Sequence, residues 1–414
     1  MRATQIKTYQ SAPRALVGLR APRRIAQARS HPTPRPLEGT NMCISCGPAV
    51  SRRSALTALG GVSALFGAAA LGGLPANAAP VSSVGSLGSL GASSGPGSDQ
   101  FVDVHSHFVT DRYVAAAIAA GHITPDGMPG WPSWNVGEHL ELMDSAGISK
   151  SILSISSPGV HFGNDADARA LARELNEFSA NVVGTHPTRF GHFASLPLPD
   201  VNGAIAEAVH ALDNLNADGV TMLSNSAGIY LGDDVLIPLL TELDRRGATV
   251  FVHPTSPPGQ EAISLKRPRP LIEFLFDSAR TIVDLIMTDR LEQFPNINWI
   301  VTHGGGVLPL VADRVDLFKR LFGGNDIPAQ TLLSRLWFDI AGTPFPRQAP
   351  ALVDLVGTEQ ILYGSDYCFT PPPAVAAQVQ SIDTATPPNG WSSWRALTLA
   401  NARRLLPEIA PIGR

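Results

Sequence analysis

The 414-residue sequence predicts an α/β fold, a (β/α)8 barrel of the TIM type, over residues 99–414. Three observations point there. Eight short runs rich in β-branched and aromatic residues follow Phe101. Amphipathic, helix-like stretches separate them, and the eight units fill about 315 residues, a usual size for that barrel. A doubly wound sheet would show the same alternation. No Gly-rich phosphate loop follows the first run, however, so the barrel is favoured.

In chain order the runs are 101–107, 150–157, 190–198, 218–224, 249–254, 297–305, 336–342 and 361–367. Helical periodicity lies between them, as over 201–215, 236–246, 271–294 and 308–322. Barrel chemistry gathers at the C-terminal ends of the strands, so the residues that close each run matter most.

The chain ahead of the barrel is of another kind. A 44% hydrophobic and 16% charged composition excludes a mostly disordered protein. The net charge of −4 is an average of unlike parts. Residues 1–79 hold ten of the 31 Lys and Arg but one of the 35 acids, leaving 21 against 34, or −13, on residues 80–414. A body so charged repels polyanions, and no nucleic-acid partner is expected. Ser51-Arg52-Arg53-Ser54 precedes a weakly apolar run, 55–74, and then Ala76-Asn77-Ala78, small residues at the spacing a signal peptidase reads.

Residues 42–79 therefore read as a twin-arginine signal peptide cut after Ala78. Its partner is the twin-arginine export machinery, and the mature protein is expected in the periplasm or outside the cell. As a membrane span the run is marginal in length and too rich in Ala and Gly. Residues 1–41 lack any helical or strand period and read as a misassigned start, with Met42 the natural beginning, or as a disordered leader. Residues 80–98, rich in Ser and Gly, read as a flexible linker. Cys43 and Cys46 have redox or metal spacing but lie upstream of the cut. Cys368 is left as the one cysteine of the mature chain, which excludes a disulfide scaffold.

The first run ends Asp103-Val104-His105-Ser106-His107. Alternate strand residues share a face, so His105 and His107 point together toward the barrel mouth. Two imidazoles at this spacing can chelate one borderline divalent cation. Alone the pattern is weak. Three further runs also end in groups able to bind a metal or move a proton: His253-Pro254, His303-Gly304-Gly305-Gly306 and Ser365-Asp366. A second ion would call for a bridging carbamylated lysine on the fourth run, and Gly219–Asn225 contains no lysine. One ion is expected. His122, His139, His186 and His210 fall in loops or helices, where solvated or capping roles are expected. His192 is expected in the core or rim, and His161, after the second run, is a candidate substrate contact.

Together these stretches resemble the amidohydrolase superfamily, and within it the branch of amino-carboxymuconate-semialdehyde, γ-resorcylate and 6-methylsalicylate decarboxylases. Matching segments run through 101–405: Asp103–His107, Phe193–Pro199, Val250–Pro254, His303–Gly306 with Pro309 and Arg314, Asp339, Gly364–Tyr367 and Asn401–Leu405. Ala217–Val220 and Tyr230–Asp233 look closest to the 6-methylsalicylate type. The resemblance implies that His105, His107, His253 and Asp366 hold one divalent ion, zinc or in some members manganese. It implies that His303 is the general acid/base, with Asp366 able to relay protons. Arg314 would bind a substrate carboxylate, in some members across the interface of a homodimer.

Muconate-type members add an arginine in the loop after the first strand. Here that loop, 128–134, carries Trp131 and Trp134 instead, which are expected to wall an aromatic ring. The implied reaction is non-oxidative decarboxylation of a small hydroxyaromatic carboxylic acid. The alternative is metal-dependent hydrolysis of a lactone or amide on the same barrel, because a fold does not fix a reaction. A non-catalytic exported binding protein is a third reading.

Overall fold

The computed structural model describes residues 100–322 and 325–407. The expected leader, export signal and linker, with Cys43 and Cys46, lie outside the described residues. Among the described residues ten strands are present: β1 (Phe101–His107), β2 (Ile148–Ser154), β3 (Phe190–Ser195), β4 (Gly219–Leu223), β5 (Asn225–Ser226), β6 (Ile229–Tyr230), β7 (Thr249–His253), β8 (Asn298–Val301), β9 (Trp337–Asp339) and β10 (Ile361–Leu362). Eight of them form one parallel sheet in the order β1-β2-β3-β4-β7-β8-β9-β10. The ends meet through bridges pairing Asp103 with Tyr363 and Ser106 with Tyr367, and the amide of Val104 donates to the Tyr363 carbonyl at 3.0 Å. The barrel expected from the sequence is the observed fold. β5 and β6, which the sequence did not signal, pair as a two-stranded hairpin.

Among the described residues thirteen helices accompany the strands: α1 (Asp111–Ala119), α2 (Val136–Ala146), α3 (Asp165–Thr185), α4 (Val201–Asn214), α5 (Ile237–Arg246), α6 (Gln260–Ile263), α7 (Glu273–Met287), α8 (Arg290–Gln293), α9 (Leu308–Phe322), α10 (Ala329–Leu333), α11 (Gln348–Val356), α12 (Pro372–Thr384) and α13 (Trp394–Leu405). Their boundaries follow local chemistry. Asn135, Asn164 and Asp200 cap α2, α3 and α4 with side-chain oxygens, and Gly147 ends α2 in the left-handed conformation a glycine takes without cost. The single helix expected over 271–294 is broken, because Asp289 adopts φ +57 between α7 and α8.

Two layers of core result. Outside the barrel, apolar helix faces pack on the strands. Inside it, Val102, Val104, Ile152, Phe193, Phe251, Ile300, Trp337 and Leu362 fill the lumen, with Leu399, Ala402, Leu405 and Leu406 of α13 and its exit packed among them. This packing leaves the opposite end of the barrel, where the strands finish, for polar groups.

The register there is irregular. Between the pairs Asp103–Ser151 and Ser106–Leu153, β1 spends three residues against two of β2. That extra residue is a bulge, which re-aims side chains on the bulged strand. Val102 and Val104 join the lumen core, and the His105 ring still packs edge-on to Phe251, 5.0 Å between centroids.

Candidate metal centre and active-site cavity

His105 and His107 from β1, His253 from the end of β7 and Asp366 just after β10 converge at the barrel mouth. Their candidate ligand atoms all lie within 4.8 Å of one another. The elements that aim them are tightly tied. The amide of Asp366 donates to the His105 carbonyl at 2.8 Å, holding the residue at φ +58. A Cβ on Gly364 would stand 2.6 Å from the Cβ of His105, so only glycine lets the last strand approach β1 this closely.

Each imidazole is oriented through its far nitrogen. His105 Nδ1 donates to Asp339 Oδ2 at 3.0 Å, and His253 Nδ1 to the Pro254 carbonyl at 2.7 Å. His107 Nδ1 lies 3.0 Å from Ser154 Oγ, whose own proton goes to the Ser106 carbonyl. These acceptors fix the proton on Nδ1 and leave all three Nε2 lone pairs facing inward. His105 Nε2 and His107 Nε2 are 3.1 Å apart, and Asp366 Oδ1 is 3.3 and 3.2 Å from them. Lone pairs and a carboxylate gathered in a largely buried site repel unless a cation sits among them. Three imidazole nitrogens and one carboxylate oxygen are the donor set of a borderline divalent ion, and these residues fit one.

The local electrostatics say the same. Burial opposes charge on His105, but Asp339 and then Asp366 outweigh it and push its pKa up to about 10. Burial holds the pKa of both His107 and His253 below the ordinary imidazole value. Burial also works against the Asp366 charge, yet the nearby His105, His107 and His303 hold that carboxyl well below its usual range. The centre thus draws positive charge.

His303 stands beside this set and outside it. It follows β8 in a tight turn at φ +51, its amide donating to Asp339 Oδ1 at 3.0 Å and its carbonyl accepting from Gln348 Nε2. A non-glycine residue held left-handed is strained, and the two backbone bonds keep it there. The ring lies with Nε2 3.5 Å from Asp366 Oδ2, while Nδ1 is buried without a partner. Asp339 is therefore a hub. One oxygen orients His105, the other receives the amides of His303 and Ala341.

A cavity of about 760 Å³ opens over His253, His303 and Asp366, with Phe274, Phe345 and Phe369 among its walls. Several candidates from the sequence lie elsewhere than in this lining. Trp131 and Trp134 are not among its lining residues. Trp131 donates to the His122 carbonyl at 2.8 Å and packs 6.3 Å from Phe369, backing that wall from behind. Trp134 donates to His139 Nδ1 and packs on Phe108 and Phe178.

His161 bonds Asp165 at 2.9 Å and faces a separate cavity of about 670 Å³. Arg314 is exposed on α9, its guanidinium 4.8 Å from the Phe318 ring centroid, and lies outside the cavity of its own chain. His139, expected in a solvated or capping role, is fully buried on the α2 face that also carries Leu142 and Met143, and burial lowers its pKa to about 3. His122, His186 and His210 are partly buried, and His192 is buried against Ser179 Oγ at 2.9 Å, in the core as expected.

Residues 102–407 match the amidohydrolase family. The chain belongs to that family. A decarboxylase of Aspergillus niger named yanB is 34% identical over 302 residues, covering 68% of this chain and 81% of the relative. The 6-methylsalicylic acid decarboxylase acuB of Aspergillus aculeatus is 32% identical over 324 residues, 74% of this chain and 96% of the relative. Among solved structures, an amidohydrolase II crystal structure superposes with a TM-score of 0.69 at 33% identity, covering 75% of this chain and all of that one.

The hub role of Asp339 generates a prediction. Asp339→Asn should leave the fold intact but weaken divalent-ion affinity about 10- to 100-fold, as losses of ligand-orienting carboxylates do. Competition against a chelator of known affinity measures it, and unchanged affinity would remove Asp339 from the site's support.

Proposed function

We propose that this amidohydrolase is a divalent-metal-dependent, non-oxidative decarboxylase of a small hydroxyaromatic carboxylic acid of the 6-methylsalicylate kind. One observation carries it: a non-ligand histidine, with a buried unpartnered nitrogen, stands beside a three-histidine, one-aspartate centre under an aromatic-walled cavity. The decarboxylases among its relatives favour loss of CO2 over hydrolysis.

His105, His107, His253 and Asp366 would hold the ion, zinc in our reading and manganese as the alternative. When bound, that ion supplies a fixed positive charge that attracts and orients the anionic oxygens of the substrate. Phe274, Phe345 and Phe369 give the ring an apolar surround from which water is largely shed. His303, held by its backbone at both amide and carbonyl, presents a fixed ring from which a proton passes to the ring carbon bearing the carboxylate. The carbon–carbon electron pair returns to the ring as CO2 leaves, and the arene keeps the proton. Asp366 Oδ2, 3.5 Å from His303 Nε2, is placed to pass a proton back to the imidazole.

Two further elements belong to the proposal. The segment 42–79 directs twin-arginine export, with cleavage after Ala78, supported by the Arg52-Arg53 pair and the Ala76-Asn77-Ala78 site. The enzyme is a homodimer. Leu310, Leu317, Leu321 and Phe322 on α9, with Ile272 and Phe276 at α7, leave an exposed apolar face. Leu310 also borders the cavity, and Arg314 rises from the same side of α9. A second copy seated there would cover that face and bring an arginine near a mouth.

His303→Asn should retain its metal while CO2 release from 6-methylsalicylate falls about 10²- to 10⁴-fold; retained turnover would reject the assignment. Opening of a lactone without CO2 release by the wild type would favour hydrolysis. Sedimentation of the protein recovered outside the cytoplasm, with mass measurement of its N-terminus, checks export and dimer together. A start at Ala79 and a two-chain mass are expected, and a cytoplasmic single chain would contradict both.

A further inference from the structure

An anionic substrate must enter a body that carries −13 over residues 80–414, so cations at the cavity matter. Beside His253 and His303, the charged side chains lining it are Asp126, Arg347 and Asp366. Asp126 is engaged, accepting from Ser256 Oγ, and Arg269 donates to that same Ser256 oxygen and lines the neighbouring cavity. Arg314 lies outside the cavity of its own chain. Arg347 is thus the one permanently cationic side chain lining the cavity among the described residues. It is exposed, and no carboxylate of the described residues pairs with it. Its neighbour Gln348 grips the His303 carbonyl, so the guanidinium is rooted at a point fixed relative to the proton carrier.

We propose that Arg347 is a substrate-positioning residue, whose guanidinium pairs with the carboxylate of the aromatic acid and selects acids over neutral rings. This rests on the aromatic-carboxylate reading above. A free planar fork with no competing protein anion is suited to a bidentate carboxylate. The aromatic walls of Phe274, Phe345 and Phe369 distinguish shape but not charge.

The test uses metal-loaded enzyme and two probes of one shape, benzoate and benzamide, titrated calorimetrically. Wild type should prefer benzoate. Arg347→Gln should weaken benzoate binding about 10- to 100-fold and change benzamide less than about twofold, with Arg347→Lys restoring part of the preference. For 6-methylsalicylate, KM should rise far more than kcat falls. Benzoate preference unchanged in Arg347→Gln would overturn the proposal, and so would a wild type without that preference. CO2 release is scored separately. An enzyme that selects benzoate through Arg347 yet releases no CO2 keeps the proposal and loses the decarboxylase reading. Full turnover in Arg347→Gln at an unchanged KM does the reverse.

Discussion

Three imidazole lone pairs and a carboxylate oxygen are held within 4.8 Å at the mouth of the barrel, the histidines buried and Asp366 partly so. Without a cation that arrangement is repulsive, and much of the surrounding structure exists to enforce it. The bulge in β1 lets His105 and His107 turn inward while Val102 and Val104 still fill the lumen. Gly364 admits the last strand against β1, and the amide of Asp366 ties the two together. Asp103, buried beneath, accepts from the hydroxyl and amide of Ser365 and from the His105 amide, tying the same two strands. Burial raises its pKa to about 6 against those bonds, so the charge that braces the strands is dearly kept.

The division between holding and reacting follows from where backbone bonds fall. The three ligand histidines each spend one nitrogen on a fixed acceptor, which leaves one nitrogen for the ion. His303 spends its backbone instead, and both ring nitrogens stay available apart from a long contact to Asp366. A group so placed can accept and give a proton without disturbing the ion. Asp339 couples the two functions, since the same carboxylate orients His105 and anchors the turn of His303. The apolar walls complete the site by lowering the local dielectric, which strengthens every charge–charge contact inside.

Much of this was legible in the sequence, for definite reasons. Eight β-branched runs alternating with amphipathic stretches are a strong signal, and the ligands sit where a barrel concentrates polar run ends. Asp339 entered only as part of a resemblance, because its partner His105 lies 234 residues away and nothing local marks the pairing. Trp131 and Trp134 stand outside the cavity lining, because composition says that a loop carries aromatic rings, not which way they face. Phe369, which does line the cavity, follows the Asp366 motif and drew no notice. The His303 run reads as strand to residue 305, yet β8 stops at Val301, where left-handed residues break the ladder. Arg347 follows Phe345-Pro346 in an unremarkable loop, and only its place at the rim gives it meaning.

The account stands or falls on the ion. Metal analysis of purified 99–414, before and after exhaustive chelation, with CO2 release from 6-methylsalicylate followed alongside, tests it most directly. The account predicts one equivalent of a divalent metal, loss of turnover when it is removed, and recovery on adding one equivalent back. A protein that releases CO2 at full rate with its metal stripped, or that binds two equivalents at this centre, would contradict it.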